Sequence, residues 1–127
     1  MKLSRQFDNV FDEAKASNNE IRRAGAKIGI EPDQEETEDM GRPVYSVEDL
    51  KASTPFSGMK LGNEVLKDAD RLGHVLHSTI RSDDPRSEKL RKAYIRHGFN
   101  DVENGNGNDW KADPDYVEVV HLFRHPR

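Results

Sequence analysis

Cysteine is absent from the chain, which excludes disulfides, thiolate nucleophiles and cysteine-held zinc together. Aromatic residues are scarce at 7%, with a single tryptophan, and only 33% of the chain is hydrophobic against 35% charged. A chain of 127 residues with that composition supports one modest core and not two. No apolar run approaches the length that a bilayer demands, and the opening MKLSRQFDNV has no apolar signal core. The expectation is an intracellular, cytoplasmic protein without a membrane span, or one released by a route that needs no signal peptide. Nine glycines and six prolines are ordinary numbers, so global disorder is not expected.

What is present is charge, and it is unevenly spread. The net charge of −4 hides two blocks of opposite sign. Residues 31–41, EPDQEETEDMG, carry Glu31, Asp33, Glu35, Glu36, Glu38 and Asp39 with no basic residue. Residues 86–97, RSEKLRKAYIRH, carry Arg86, Lys89, Arg91, Lys92 and Arg96 against Glu88 alone. A solvated loop and a solvated helix face are the ordinary readings of such blocks. An anion-binding surface is the other reading of the second. A broad basic footprint is missing, so nucleic acid is not an expected partner.

Hydrophobic spacing sets the expected elements. Leu3, Phe7, Val10, Phe11 and Ala14 predict an amphipathic helix over 4–16. Ser17-Asn18-Asn19-Glu20 reads as a capping box opening a second helix, about 18–28, with Ile21, Ala24 and Ile28 inward. An acidic loop then runs over 31–42. Val44–Val47 reads as a strand, Ser53–Gly58 as a loop, and a helix begins at Leu61 and stops at Gly73. His74–Ile80 is a strand, a further helix runs through His97, and Phe99 starts a short edge segment. Asn104–Asp109 is a turn and Tyr116–Phe123 a last strand. From residue 44 the order is strand, loop, helix, strand, helix, strand. That order predicts an α/β fold with a mixed sheet, helices on both faces, and a parallel pair around the first helix.

This order, with FSGMKLGNEVL at the loop-to-helix step and LRKAYIRHGF at the later helix, resembles the C-terminal half of the GNAT superfamily of N-acetyltransferases. It looks most like the short bacteriophage and polyvalent-protein type. The resemblance covers residues 43–127, a cofactor-binding half, with two N-terminal helices within 1–30 as a looser match in one domain of residues 1–127. It implies an acetyl-coenzyme A-dependent transfer of an acetyl group to an amine, with no metal. Backbone amides at Met59, Lys60, Leu61, Gly62 and Asn63 would hold the pyrophosphate, Ser87 would contact the cofactor, and residues near Val47–Leu50 would pair with the pantetheine arm. Gly62 matches the last glycine of the family loop, whereas Lys60 stands at a glycine position. Tyr94, four residues before Gly98-Phe99, matches the residue that protonates the departing thiolate. A phenol with pKa about 10 suits that task; a half-buried core aromatic is the competing reading. Glu48 and Asp49 are the nearest carboxylates for a base, and ordinary strand-end carboxylates otherwise. The alternative function is a noncatalytic relative of the same scaffold, a virion or host-interaction protein, with the virion as the other location.

His74 and His77 fall on opposite faces if they share a strand. His121 and His125 lack a supporting cluster, so no metal site is expected.

Overall fold

The computed structural model describes residues 7–101 and 119–127. The turn expected at Asn104–Asp109 lies outside the described residues. The chain opens with helix α1 (Val10–Ala16), whose N-cap Asn9 accepts a hydrogen bond from the Asp12 amide at 2.9 Å. Val10, Phe11 and Ala14 are its buried face.

The second helix expected over 18–28 is instead a β-hairpin, β1 (Glu20–Arg23) and β2 (Ala26–Pro32). The Ser17–Glu20 capping box does not form, because Asn18 and Asn19 take left-handed φ values of 57° and 61° and turn the chain into a strand. Gly25, at φ 81°, closes the hairpin. Ile21 and Ile28 fit both a helical and an alternating pattern. Buried Ala26 and Ile30 show that the alternating one governs here.

Part of the acidic loop is also ordered. Helix α2 (Gln34–Met40) is capped by Asp33, whose carboxylate accepts from the Glu36 amide, and ends at Gly41 in the left-handed region. Acidic residues in its first turn oppose the positive end of the helix dipole.

Strand β3 (Val44–Ala52) is longer than expected, and helix α3 (Pro55–Leu72) begins six residues before Leu61. Thr54 and Ser57 form a reciprocal capping box, Pro55 takes the first helical position, and Gly73 at φ 73° ends the helix. Then follow β4 (Val75–Arg81), α4 (Ser87–Arg96), β5 (Asn100–Asp101) and β6 (Val119–Arg124). Gly98, at φ 95°, turns the chain so that Phe99 re-enters the core.

The six strands form one sheet in the order β1-β2-β3-β4-β6-β5. Only β3 and β4 are parallel, as a strand–helix–strand unit requires; the other neighbours are antiparallel. The fold is therefore α/β with a mixed sheet flanked by helices. One sheet face, with Ile21, Ile28, Ile30, Val47, Leu76, Ile80 and Leu122, packs with α1 and α3 into the main core, against which Leu90 and Tyr94 of α4 rest. On the opposite face Met40 of α2 covers a smaller cluster of Val44, Val75 and Phe123. No helix of the described residues is long and apolar enough to cross a membrane.

Two ionic ties fasten the layers. Arg23 bridges α1 and α3 by forked contacts to Glu13 (2.7 Å) and Glu64 (2.9 Å). Arg124 donates to Asp70 of α3 at 2.7 Å and to the His97 carbonyl at 2.9 Å.

Candidate functional site

The parallel pair at the centre of the sheet is incomplete. β3 and β4 are in register only at Val44–Val75, Tyr45–Leu76 and Ser46–His77. Beyond that point β3 continues to Ala52 paired only with β2, and β4 continues to Arg81 paired only with β6. The pairing is thus lost between two strand edges, 47–52 and 78–81, on the side from which α3 and α4 depart, and leaves a gap there. Backbone N–H and C=O groups along such an edge are obligatory hydrogen-bonding groups without a ladder partner.

A β-bulge lies on the β3 side of the gap. Glu48 pairs with Gly29 and Lys51 with Lys27, so Asp49 and Leu50 together oppose the single residue Ile28. Asp49 takes φ 56°, a left-handed value that re-aims the strand edge. Burial pushes the Glu48 carboxyl up from its usual range, with Asp49 and Glu31 adding to the effect.

Across the gap, the Arg86 guanidinium is held in its charged form chiefly by Asp84, and further by Asp49 and Tyr94. Asp49 on β3 and Tyr94 on α4 are thus both within electrostatic reach of one side chain. Tyr94 is half-buried, with its ring edge-on to Phe99 at 5.0 Å. Its hydroxyl has no hydrogen-bond partner among the described residues. Ser87 is buried at the start of α4, its amide donating to the Asp84 carbonyl at 2.9 Å. Leu50, Phe56 and Met59 are exposed apolar residues at the end of β3 and the start of α3.

The amides expected to cradle a pyrophosphate are differently placed. Because α3 starts at Pro55, the Gly58 amide already donates to the Thr54 carbonyl at 3.2 Å. Met59, Lys60, Leu61, Gly62 and Asn63 lie inside the helix, and their amides belong to its own ladder. The Ser57 amide is taken by Thr54 Oγ1 at 3.1 Å, and Pro55 has no N–H. Cationic side chains are nearby instead: an open concavity of about 360 Å³ at the β1–β2 turn is lined by Arg22, Lys27, Lys51 and Ser53, among others. Gly62 keeps one feature of a ligand-facing glycine, since a Cβ there would meet nothing within 4 Å.

At the closed end of the gap stands a cluster that sequence reasoning did not assemble. Asp33 Oδ2 accepts from Ser46 Oγ at 2.9 Å and lies 2.8 Å from His77 Nδ1. His77 Nε2 is 2.9 Å from His121 Nδ1. The His77 ring is buried and stacks on Phe123 at 4.6 Å. Burial works against the Asp33 charge, but the Glu36 amide, His77 and Ser46 outweigh it and hold the carboxyl below its usual range. The signal was faint: two histidines, each one place from an apolar inward residue, on strands far apart in sequence. His74 lies on the other face, between the rings of Phe11 and Tyr45, and burial lowers its basicity. No group of metal-ligating side chains occurs among the described residues.

Compared with known proteins, the chain matches no family model, no curated protein and no solved structure.

Proposed function

We propose that this protein is an acetyl-coenzyme A-dependent N-acetyltransferase of the GNAT kind, acting in the cytoplasm on an amine. The observation that carries the reading is the gap between β3 and β4. A pantetheine arm is a narrow, extended chain with amide groups along it, and two unpaired parallel strand edges offer it hydrogen bonds from both sides. The bulge at Asp49 and Leu50 re-aims backbone groups of the β3 edge toward that arm, whose far end carries the thioester.

The fit at the phosphate end differs from the family pattern. The start of α3 is sealed by its own cap, so side-chain cations such as Lys51 and Lys60 replace loop amides as partners for the phosphates. The reaction is direct attack. An amine adds to the acyl carbonyl and forms the C–N bond, the C–S bond breaks, and the thiolate takes the phenolic proton of Tyr94. Tyr94 suits that role because its hydroxyl has no hydrogen-bond partner among the described residues.

The same sealed helix start favours a second reading, a noncatalytic scaffold whose gap accepts an extended peptide from a virion or host protein. Calorimetry with acetyl-coenzyme A decides between them. The acyltransferase reading expects a Kd at or below about 100 µM, near −5.5 kcal/mol. No heat at millimolar ligand refutes it and favours the peptide-binding scaffold.

A further inference from the structure

The acyltransferase reading leaves the acceptor amine without a base, and the cluster at the closed end of the gap is unused. Ser46 and His77 are the last residues paired before β3 and β4 part. His121 lies opposite Thr79, two residues further along β4, on the same face as His77. It therefore stands one strand away from the inner part of the gap, and its ring leans back to His77.

Counting hydrogens assigns the tautomers. Asp33 already accepts from Ser46 Oγ and from the Glu36 amide, so its carboxylate acts as an acceptor and His77 Nδ1 carries the hydrogen between them. A neutral His77 then has a bare Nε2, which accepts from Nδ1–H of His121. His121 is left with an unprotonated Nε2, which has no hydrogen-bond partner among the described residues. A proton arriving there makes an imidazolium whose Nδ1–H points, through His77, at the Asp33 carboxylate. Charged groups on this sheet face include Lys27, Glu31, Glu48 and Arg81, the last paired with Asp83 at 3.0 Å, and Glu35 and Glu36 follow Asp33 in the first turn of α2.

We infer that His121 Nε2 is the proton acceptor for the amine, with His77 and Asp33 as positioning residues. The inference rests on the acyltransferase reading and completes its proton balance. As the C–N bond forms, the nitrogen's proton passes to His121 Nε2. The thiolate released from the broken C–S bond takes its proton from Tyr94. His121 then returns its proton to solvent and the tyrosinate regains one from it.

Two measurements on the full chain test this. Nitrogen-15 NMR of the histidine rings at pH 8 is expected to show both His77 and His121 protonated at Nδ1. A His121 protonated at Nε2 overturns the inference. In assays with acetyl-coenzyme A and a panel of primary amines, His121→Ala is expected to lower kcat/KM by about 10²–10⁴-fold, with coenzyme A affinity held within about twofold. Added imidazole restores part of the loss. His121 is only half-buried, so the variant keeps the fold, and a melting curve verifies it. His77→Gln, likewise checked for folding, is expected to move the acidic limb of the pH–rate profile, which a purely structural residue would not do. Wild-type turnover in His121→Ala sinks this inference alone. Failure of the unaltered protein to bind coenzyme A sinks the acyltransferase reading and the base with it.

Discussion

Gly62→Ala separates the packing role of a helix glycine from a ligand-facing one. Gly62 lies in the interior of α3, where glycine costs about 0.5–1 kcal/mol relative to alanine through backbone entropy. The added Cβ would find no atom within 4 Å, so no clash offsets that gain. The variant should be more stable by about 0.5–1 kcal/mol, a rise in Tm of about 2–5 °C for a domain of this size. Gly58 is the internal control. A Cβ there lies 3.0 Å from the Ala52 Cβ, at the seam where α3 leaves β3, so Gly58→Ala should gain nothing or lose stability. Urea unfolding with unchanged slope measures both. If Gly62→Ala is no more stable than the parent, the open space beside α3 is not there. If the space belongs to coenzyme A, the same substitution weakens coenzyme A binding while it raises Tm. A gain in stability with unaltered affinity removes Gly62 from the proposed site.

Two further outcomes are expected. Tyr94→Phe removes a hydroxyl that has no hydrogen-bond partner among the described residues, so stability should change by less than about 0.5 kcal/mol while turnover falls by about 10²-fold or more; equal turnover in both proteins ends its role as the acid. Asp70 is held below the usual 3.8 chiefly by hydrogen bonds from Arg124, against burial. A carboxyl with a depressed folded-state value contributes stability that is complete above its unfolded value and fades as pH falls through the folded one. Denaturation of Asp70→Asn below pH ~4 should therefore show a shallower loss of stability with acid than the parent; parallel curves refute the linkage.

The strand–helix–strand order was legible because α3, β4 and α4 each carry a clear period and a clear stop. Gly73 and Gly98 both take the positive φ that ends a helix, and Phe99 is buried as expected. The hairpin was not legible, since Ile21 and Ile28 stand seven apart and satisfy both periods. Its deciding feature, two asparagines in the left-handed region, is a tertiary outcome that local propensity allows without requiring. The start of α3 was misjudged because Ser53–Gly58 looks like a loop, yet Thr54, Pro55 and Ser57 are also a strong helix-opening combination. Asp33, Ser46, His77 and His121 meet only once three strands and the cap of α2 are in register. No spacing rule within a single segment reports such a meeting.

The three-residue junction of β3 with β4 has a mechanical consequence. The sheet behaves as two leaves, β1-β2-β3 and β4-β6-β5, bound along a short spine at Val44–Ser46 and Val75–His77. In most sheets the central strands are the last to exchange their amide hydrogens with solvent. Here the gap-facing amides of 47–52 and 78–81 should exchange early despite their central position, while those of the spine exchange late. A chain seated between the leaves would reverse that order and close the book.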